Sequence, residues 1–210
     1  MKIHDITLTL SPELPVWPGD PKVELKQVTF IPKGDSCNIS HLAMSVHAGT
    51  HVDAPYHFLN DGKTVETLPL EALIGAVCVI QVADAVDKLT RAVLEHAEIP
   101  EDAERILFKT RNSAIWAREK TFQNEFVAIT ADGAEWLSAR NLRLIGMDYL
   151  SVAPFGDATD THQTLLRKGI VLLEGVNLSQ IKPGCYELFC LPLKLSKSDG
   201  APARVVLIEK

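Results

Sequence analysis

The 210-residue chain has no apolar run near the ~18 residues that a membrane-spanning helix requires, so no membrane partner is expected. Its four cysteines, Cys37, Cys78, Cys185 and Cys190, include no CxxC pair; they read as reduced thiols of a cytosolic protein, with Cys78 and Cys190 as small core residues inside apolar runs. Basic residues are outnumbered 21 to 27 by acidic ones and scattered singly. Counterion release needs clustered Lys and Arg, so nucleic acid is not an expected partner. The opening Met1-Lys2-Ile3-His4-Asp5 lacks the apolar core of a signal peptide, which makes a cytoplasmic location the expectation. There are no repeats, low-complexity tracts or linkers, and no G-x-S-x-G segment. One domain over residues 1–210 is expected, and a serine hydrolase is disfavoured.

What is present is an ordinary globular composition, 46% hydrophobic and 23% charged, in a chain long enough to bury roughly 70% of the surface it exposes when unfolded. Strands are predicted at residues 3–10, 23–31, 38–46, 76–83, 105–110, 126–130, 142–147, 170–173, 186–191 and 204–208. Helices are predicted after an N-capping Thr90, over 131–140, and over 161–168 with Gly169 at the C-terminal end. A β-rich front third followed by alternating strand and helix points to a mixed α/β domain with a central sheet and flanking helices.

Three of the seven histidines fall within His47-Ala48-Gly49-Thr50-His51-Val52-Asp53-Ala54-Pro55-Tyr56-His57. Gly49 and Pro55 oppose a regular helix, so the stretch reads as a loop after the 38–46 strand. The spacing H-x₃-H-x-D puts imidazole nitrogens and a carboxylate within reach of one divalent ion, a donor set suited to Zn²⁺ or Mn²⁺. The alternative is a polar loop whose histidines cap backbone groups. His162 and Glu174 flank a helix-to-strand passage. Spacing alone leaves Glu174 equally a solvated strand end or an inward ligand. Trp17, in the proline-stiffened Trp17-Pro18-Gly19-Asp20, is either a stacking surface for an aromatic ligand or a loop anchor.

The stretch His47 to His57 resembles the signature of the metal-dependent cyclase family, which includes the bacterial kynurenine formamidases. Trp17-Pro18-Gly19-Asp20, Leu172-Leu173-Glu174-Gly175 and Leu191-Pro192-Leu193-Lys194 follow in the order that the family has similar segments, so the resemblance covers nearly the whole chain. It implies a swivelling β/β/α fold, a homo-oligomer (usually a dimer) and two divalent ions per chain, Zn²⁺ or Mn²⁺. His47, His51 and Asp53 would bind the first ion. Asp53, His162 and Glu174 would bind the second, with Asp53 bridging. His57 would be the catalytic general acid/base and Trp17 a substrate contact. The implied reaction is hydrolysis of a small aromatic N-formyl amide such as N-formylkynurenine by water ionised on the metal. His57 would shuttle the proton that the leaving amine needs.

Formamidases of this family carry H-T-G-A-H where this chain has Ala48 and Thr50, and a second histidine where it has Gln163. Those differences keep open a cyclic amide, imide or lactone, as in the isatin hydrolases of the broader family. A further alternative is an oligomer that the metals merely stabilise.

Overall fold

The computed structural model describes residues 1–209. Its strands, in chain order, are β1 (Lys2–Asp5), β2 (Glu24–Thr29), β3 (Ile39–Ala43), β4 (His51–Asp53), β5 (Ile74–Gln81), β6 (Lys88–Leu89), β7 (Arg105–Lys109), β8 (Ala128–Ile129), β9 (Leu144–Met147), β10 (Val171–Glu174), β11 (Gly184–Pro192) and β12 (Gly200–Glu209). The helices are α1 (Leu70–Leu73), α2 (Arg91–Glu95), α3 (Ile115–Arg118), α4 (Ala131–Ser138) and α5 (Thr159–Arg167). None of them is long and apolar enough to cross a membrane.

Eight strands form one sheet in the order β1-β12-β11-β5-β7-β9-β10-β4. The steps β5–β7, β7–β9 and β9–β10 are parallel and the others antiparallel. The ten-residue β12 carries β11 along one edge and both β4 and β1 along the other, so the sheet closes on itself. Alternation along each strand separates two cores. Val79, Leu107, Leu144, Leu173 and Leu188 meet inside the closed sheet. Ile80, Ile106, Phe108, Ile145 and Leu172 face outward and are covered by Leu94, Leu137 and Leu165 of α2, α4 and α5. Strands buried on both faces read as unbroken apolar runs, which is why residues 106–108 and 144–147 stand out in the sequence.

Most predicted elements appear within a few residues of their expected bounds, and Thr90 does cap α2 by accepting from Val93 N. The expected strand over residues 3–10 ends at Asp5, with a single bridge from Thr7 to Val176. The stretch 47–57 is not wholly a loop. His51–Asp53 forms β4, seated between β10 and β12, too short to show a period in the sequence. Cys190 is a core residue, as expected, whereas Cys78 is only half-buried.

Asp148, fully buried, ties the end of β9 to the turn after β7. It accepts from the amides and hydroxyls of Thr110 and Ser113 at 2.7–3.1 Å. Burial pushes its carboxyl up to about 6 against those hydrogen bonds. The neighbouring Tyr149 carbonyl accepts from Gly175 N at 2.7 Å. Gly175 has φ +68°, and a Cβ there would lie 2.1 Å from the Gly49 carbonyl oxygen.

This contact closes the β10 end onto the His47 loop. Gly175→Ala should therefore destabilise the protein by more than Gly169→Ala, where φ is +74° but the surrounding space is open. The latter should cost roughly 1–2 kcal/mol of left-handed strain. Urea midpoints compare the two; equal losses would show that the close approach to Gly49 carries no weight.

Candidate metal centre

His51 and Asp53 leave the same face of β4 because they are two residues apart, while Val52 between them points into the inner core. Antiparallel pairing with β10 sets Glu174 opposite His51 and Leu172 opposite Asp53. Helix α5 lies over this end of the sheet, and His162, Leu165 and Leu166 form its buried stripe. Asp53, His51, His162 and Glu174 are 0, 1, 3 and 3% exposed. Carboxylates buried this deeply stay charged only if cations or donors surround them.

The two buried imidazoles are oriented in the same way. His51 Nδ1 donates to the Gly49 carbonyl at 3.0 Å and His162 Nδ1 to the Ala158 carbonyl at 2.8 Å. Each therefore turns Nε2 toward the carboxylates. His51 Nε2 lies 3.5 Å from Asp53 Oδ1 and 3.3 Å from Glu174 Oε2. His162 Nε2 lies 3.6 Å from Asp53 Oδ2 and 3.4 Å from Glu174 Oε1. Glu174 is itself aligned by Val152 N, which donates to Oε1 at 2.7 Å. Such backbone acceptors fix the tautomer that leaves Nε2 free as a ligand.

His47 completes the group from the preceding turn, with Nδ1 2.9 Å from Asp53 Oδ1 and Nε2 2.7 Å from Asp199 Oδ2. Its ring stacks on His57 at 4.0 Å. His57 sits on the short 3₁₀ turn Pro55–His57, partly open to solvent, with Nδ1 3.4 Å from Asp199 Oδ2. Ligand atoms of His47, His51 and Asp53 lie within 4.8 Å of one another, as do those of Asp53, His162 and Glu174. Asp53 belongs to both sets.

The charges follow from these contacts. Burial disfavours a charged His47, but hydrogen bonds to Asp199 and Asp53 outweigh it and raise the imidazole to about 10. Burial likewise opposes a charge on His51, and Asp53 and Glu174 carry it up to about 9. His162 is raised too, against burial, by Glu174 and Asp53. Asp53 is held well below the usual carboxylate range despite burial, by its interaction with His57, a hydrogen bond from His47 and the nearby His51 imidazole. Glu174 is lowered, despite burial and the charge of Asp53, by the close imidazoles of His162 and His51. His57 moves the other way: burial depresses it, His47 and His162 add to that effect, and Asp53 offsets it only in part.

Two atoms facing the shared space, His51 Nε2 and Asp53 Oδ2, are buried without a hydrogen-bond partner. Unpartnered polar atoms in a cluster of imidazole nitrogens and carboxylate oxygens mark positions that a divalent cation can satisfy once the imidazoles are neutral, so the residues fit a metal site.

The structure thus brings His47, His51, Asp53, His162 and Glu174 together, with His57 beside them. Trp17 stands apart, in an aromatic cluster with Phe122, Phe126 and Phe155 at centroid distances of 5.1, 6.4 and 5.3 Å. Its indole is half-buried and Phe155 is exposed. Asp199 was not expected from the sequence. It lies 152 residues from His47, and an acidic residue before an apolar strand carries no spacing signal of its own. Hydrogen bonding by His47 holds its carboxyl at about 2.

The two departures from the formamidase pattern also find their places. Buried Thr50 donates to the Gly175 carbonyl at 2.6 Å and accepts from Leu8 N at 2.9 Å. Gln163 donates to the Phe58 carbonyl at 3.3 Å, and the Phe58 ring stacks on His162 at 4.1 Å.

Comparison with known proteins agrees with this architecture. A "Putative cyclase" family model matches residues 4–154. A kynurenine formamidase of Bacillus cereus is 36% identical over 204 residues, covering 97% of this chain and 95% of that one. A solved structure described as a potential metal-dependent hydrolase with cyclase activity superposes with a TM-score of 0.84 at 34% identity, over 98% of this chain and 96% of that one. Isatin hydrolase A of Labrenzia aggregata superposes with a TM-score of 0.83 at 26% identity, over 100% of this chain and 94% of that one. With the family model spanning well over half of its length, the chain belongs to the cyclase family of metal-dependent hydrolases.

Proposed function

We propose that this chain is a divalent-metal-dependent hydrolase of carbon–nitrogen bonds, acting on a small aromatic N-formyl amide such as N-formylkynurenine. One observation carries the reading. Two fully buried imidazoles turn their free nitrogens onto two shared carboxylates, next to a histidine that is partly open to solvent and depressed in pKa. The formamidase and hydrolase relatives support the same class of chemistry.

His47, His51 and Asp53 would hold one ion and Asp53, His162 and Glu174 a second, Zn²⁺ or Mn²⁺ by the nature of the donors. Such ions, when bound, supply Lewis acidity that makes water nucleophilic at neutral pH and draws charge from a carbonyl oxygen. The protein's own part is positional. Backbone carbonyls of Gly49 and Ala158 keep His51 and His162 in one tautomer, and Val152 N holds Glu174. His57, kept largely neutral by burial, accepts a proton from the attacking water and returns it to the leaving amine. Its Nδ1 faces Asp199, which leaves Nε2 to carry that proton. Trp17 and Phe155 would offer the aromatic surface for the substrate ring. Phe155 lies on the 150–155 segment, whose Val152 aligns Glu174, and Trp17 packs on Phe155.

A second reading keeps the site and changes the substrate to a cyclic amide such as isatin. The isatin hydrolase likeness favours it, as does Gln163 in place of the second histidine. Product analysis with zinc-loaded protein decides between them. Formate release from N-formylkynurenine supports the first reading, while turnover of isatin alone replaces it with the second.

The β2–β3 hairpin exposes Leu25, Val28, Phe30, Ile31, Ile39 and Leu42. We assign it to contact between copies in a homodimer or higher homo-oligomer of a cytoplasmic enzyme, because an apolar arm of this size is rarely left in water.

Three outcomes are expected. Asp53→Ala should lose both ions by elemental analysis; retention of one full equivalent would mean independent sites. His57→Ala should keep the ions while turnover falls roughly 10²–10⁴-fold, and unchanged turnover removes His57 from the proton path. Finally, metal-free His47 and His51 are protonated at neutral pH, with values of about 10 and about 9, whereas imidazole ligates only when neutral. Zinc binding must therefore release protons. Apparent affinity should rise by about tenfold per pH unit for each proton released between roughly pH 6 and 8. Competition against a chromophoric chelator measures it; a flat profile would show that the histidines are already neutral.

A further inference from the structure

The cysteines outside the metal centre are not scattered. In the antiparallel pairing of β5 with β11, Cys78 and Cys185 are direct partners, and their sulfur atoms lie 3.0 Å apart. Directly opposed residues of an antiparallel pair have Cα separations of roughly 4.5 or 5.5 Å, and both values fall within the roughly 4.4–6.8 Å that disulfides span. The bond itself needs about 2.05 Å between sulfurs, so closing it requires rotation of two side chains and no movement of the sheet. Both residues are on the outer face of the closed sheet. Cys78 packs at the edge of the outer core, while the inner-core residues Val77, Val79 and Tyr186 alternate with the pair.

Access is also in place. Cys78 and Cys185 line a cavity of about 1020 Å³ between this part of the sheet and the α2 segment, whose other walls include Leu94, His96 and Pro100. Cys185 is exposed and Cys78 half-buried. Neither Cys37, on the exposed hairpin connection, nor the fully buried Cys190 has a sulfur partner.

We propose that Cys78 and Cys185 form a reversible redox site at which hydrogen peroxide, as the oxidant, closes a cross-strand disulfide between β5 and β11. The exposed Cys185 thiolate attacks the peroxide O–O bond, forming a sulfenic acid and releasing water once the leaving hydroxide is protonated. The Cys78 sulfur then attacks the sulfenic sulfur. An S–S bond forms, the S–O bond breaks, and the Cys78 proton leaves with the hydroxyl as a second water. The dithiol loses two electrons and the peroxide gains two. The order follows from the environments. Burial, reinforced by the adjacent Cys185, pushes the Cys78 thiol up to about 12, which makes Cys78 the resolving partner and not the first to react. In a reducing cytoplasm such a pair would be open at rest and closed transiently.

The test needs neither substrate nor metal turnover, so it stands apart from the assigned activity. The folded wild-type protein is treated with a few-fold molar excess of hydrogen peroxide, then denatured, alkylated and digested for mass spectrometry. Expected is loss of two of the four alkylatable thiols, recovery of a peptide pair linking Cys78 to Cys185, and return of both thiols on reduction with dithiothreitol. In Cys78→Ser, Cys185 should instead be trapped as a dimedone adduct of its sulfenic acid. Recovery of both cysteines as alkylated thiols overturns the proposal. So does Cys185 recovered as sulfinic or sulfonic acid with Cys78 still alkylated, because a competent resolving thiol at 3.0 Å would have intercepted the sulfenic acid.

Discussion

Everything at the functional end of this protein depends on two carboxylates, Asp53 and Glu174, that are almost wholly removed from water. An isolated carboxylate in such a place would take up a proton rather than stay charged. Here each is ringed by imidazole nitrogens at 2.9–3.6 Å. Burial disfavours every charge in the group, yet the opposite charges are close enough that Asp53 and Glu174 fall in pKa while His47, His51 and His162 rise. A divalent cation relieves the same imbalance more completely, because it engages His51 Nε2 and Asp53 Oδ2, which otherwise lack a hydrogen-bond partner. In a cluster this deeply buried, removing one member leaves its partners uncompensated, so the group acts as a unit.

The closed sheet makes that unit rigid. β4 contributes only three residues, but it is hydrogen-bonded on both sides, by β10 and by β12. Thr50 and Gly175 join the turn before β4 to the turn after β10. The imidazoles are aimed by main-chain carbonyls, which cannot ionise or swing away as side-chain partners can. His57 escapes that confinement. It sits on a 3₁₀ turn at the rim, stacked on His47 and facing Asp199. Its pKa falls, whereas the carboxylates raise those of the other three, which separates a group suited to moving protons from groups suited to holding ions.

Much of this could be read in advance where the information is local. The parallel strands declare themselves because burial on both faces leaves residues 106–108 and 144–147 without a polar position. His47, His51, Asp53 and His57 stand together in eleven consecutive positions, so their proximity needs no folding argument. By contrast, β4 was hidden in what looked like a loop, because three residues carry no period. Trp17, expected in a sparse proline-rich loop, turned out to lean on Phe122, Phe126 and Phe155, which come from segments more than a hundred residues away.

From its residue order alone the chain determined a mixed α/β architecture, a metal-suited loop at 47–57 and a resemblance to one hydrolase family, since each rests on local period or contiguous spacing. Only the tertiary structure decided that Glu174 points inward rather than into solvent, that His162 crosses from α5 to meet Asp53, that Asp199 joins His47 and His57, and that Cys78 meets Cys185. Those are pairings across strand register and helix packing. Closing the sheet through β12 brings distant segments into contact at distances that no linear spacing encodes.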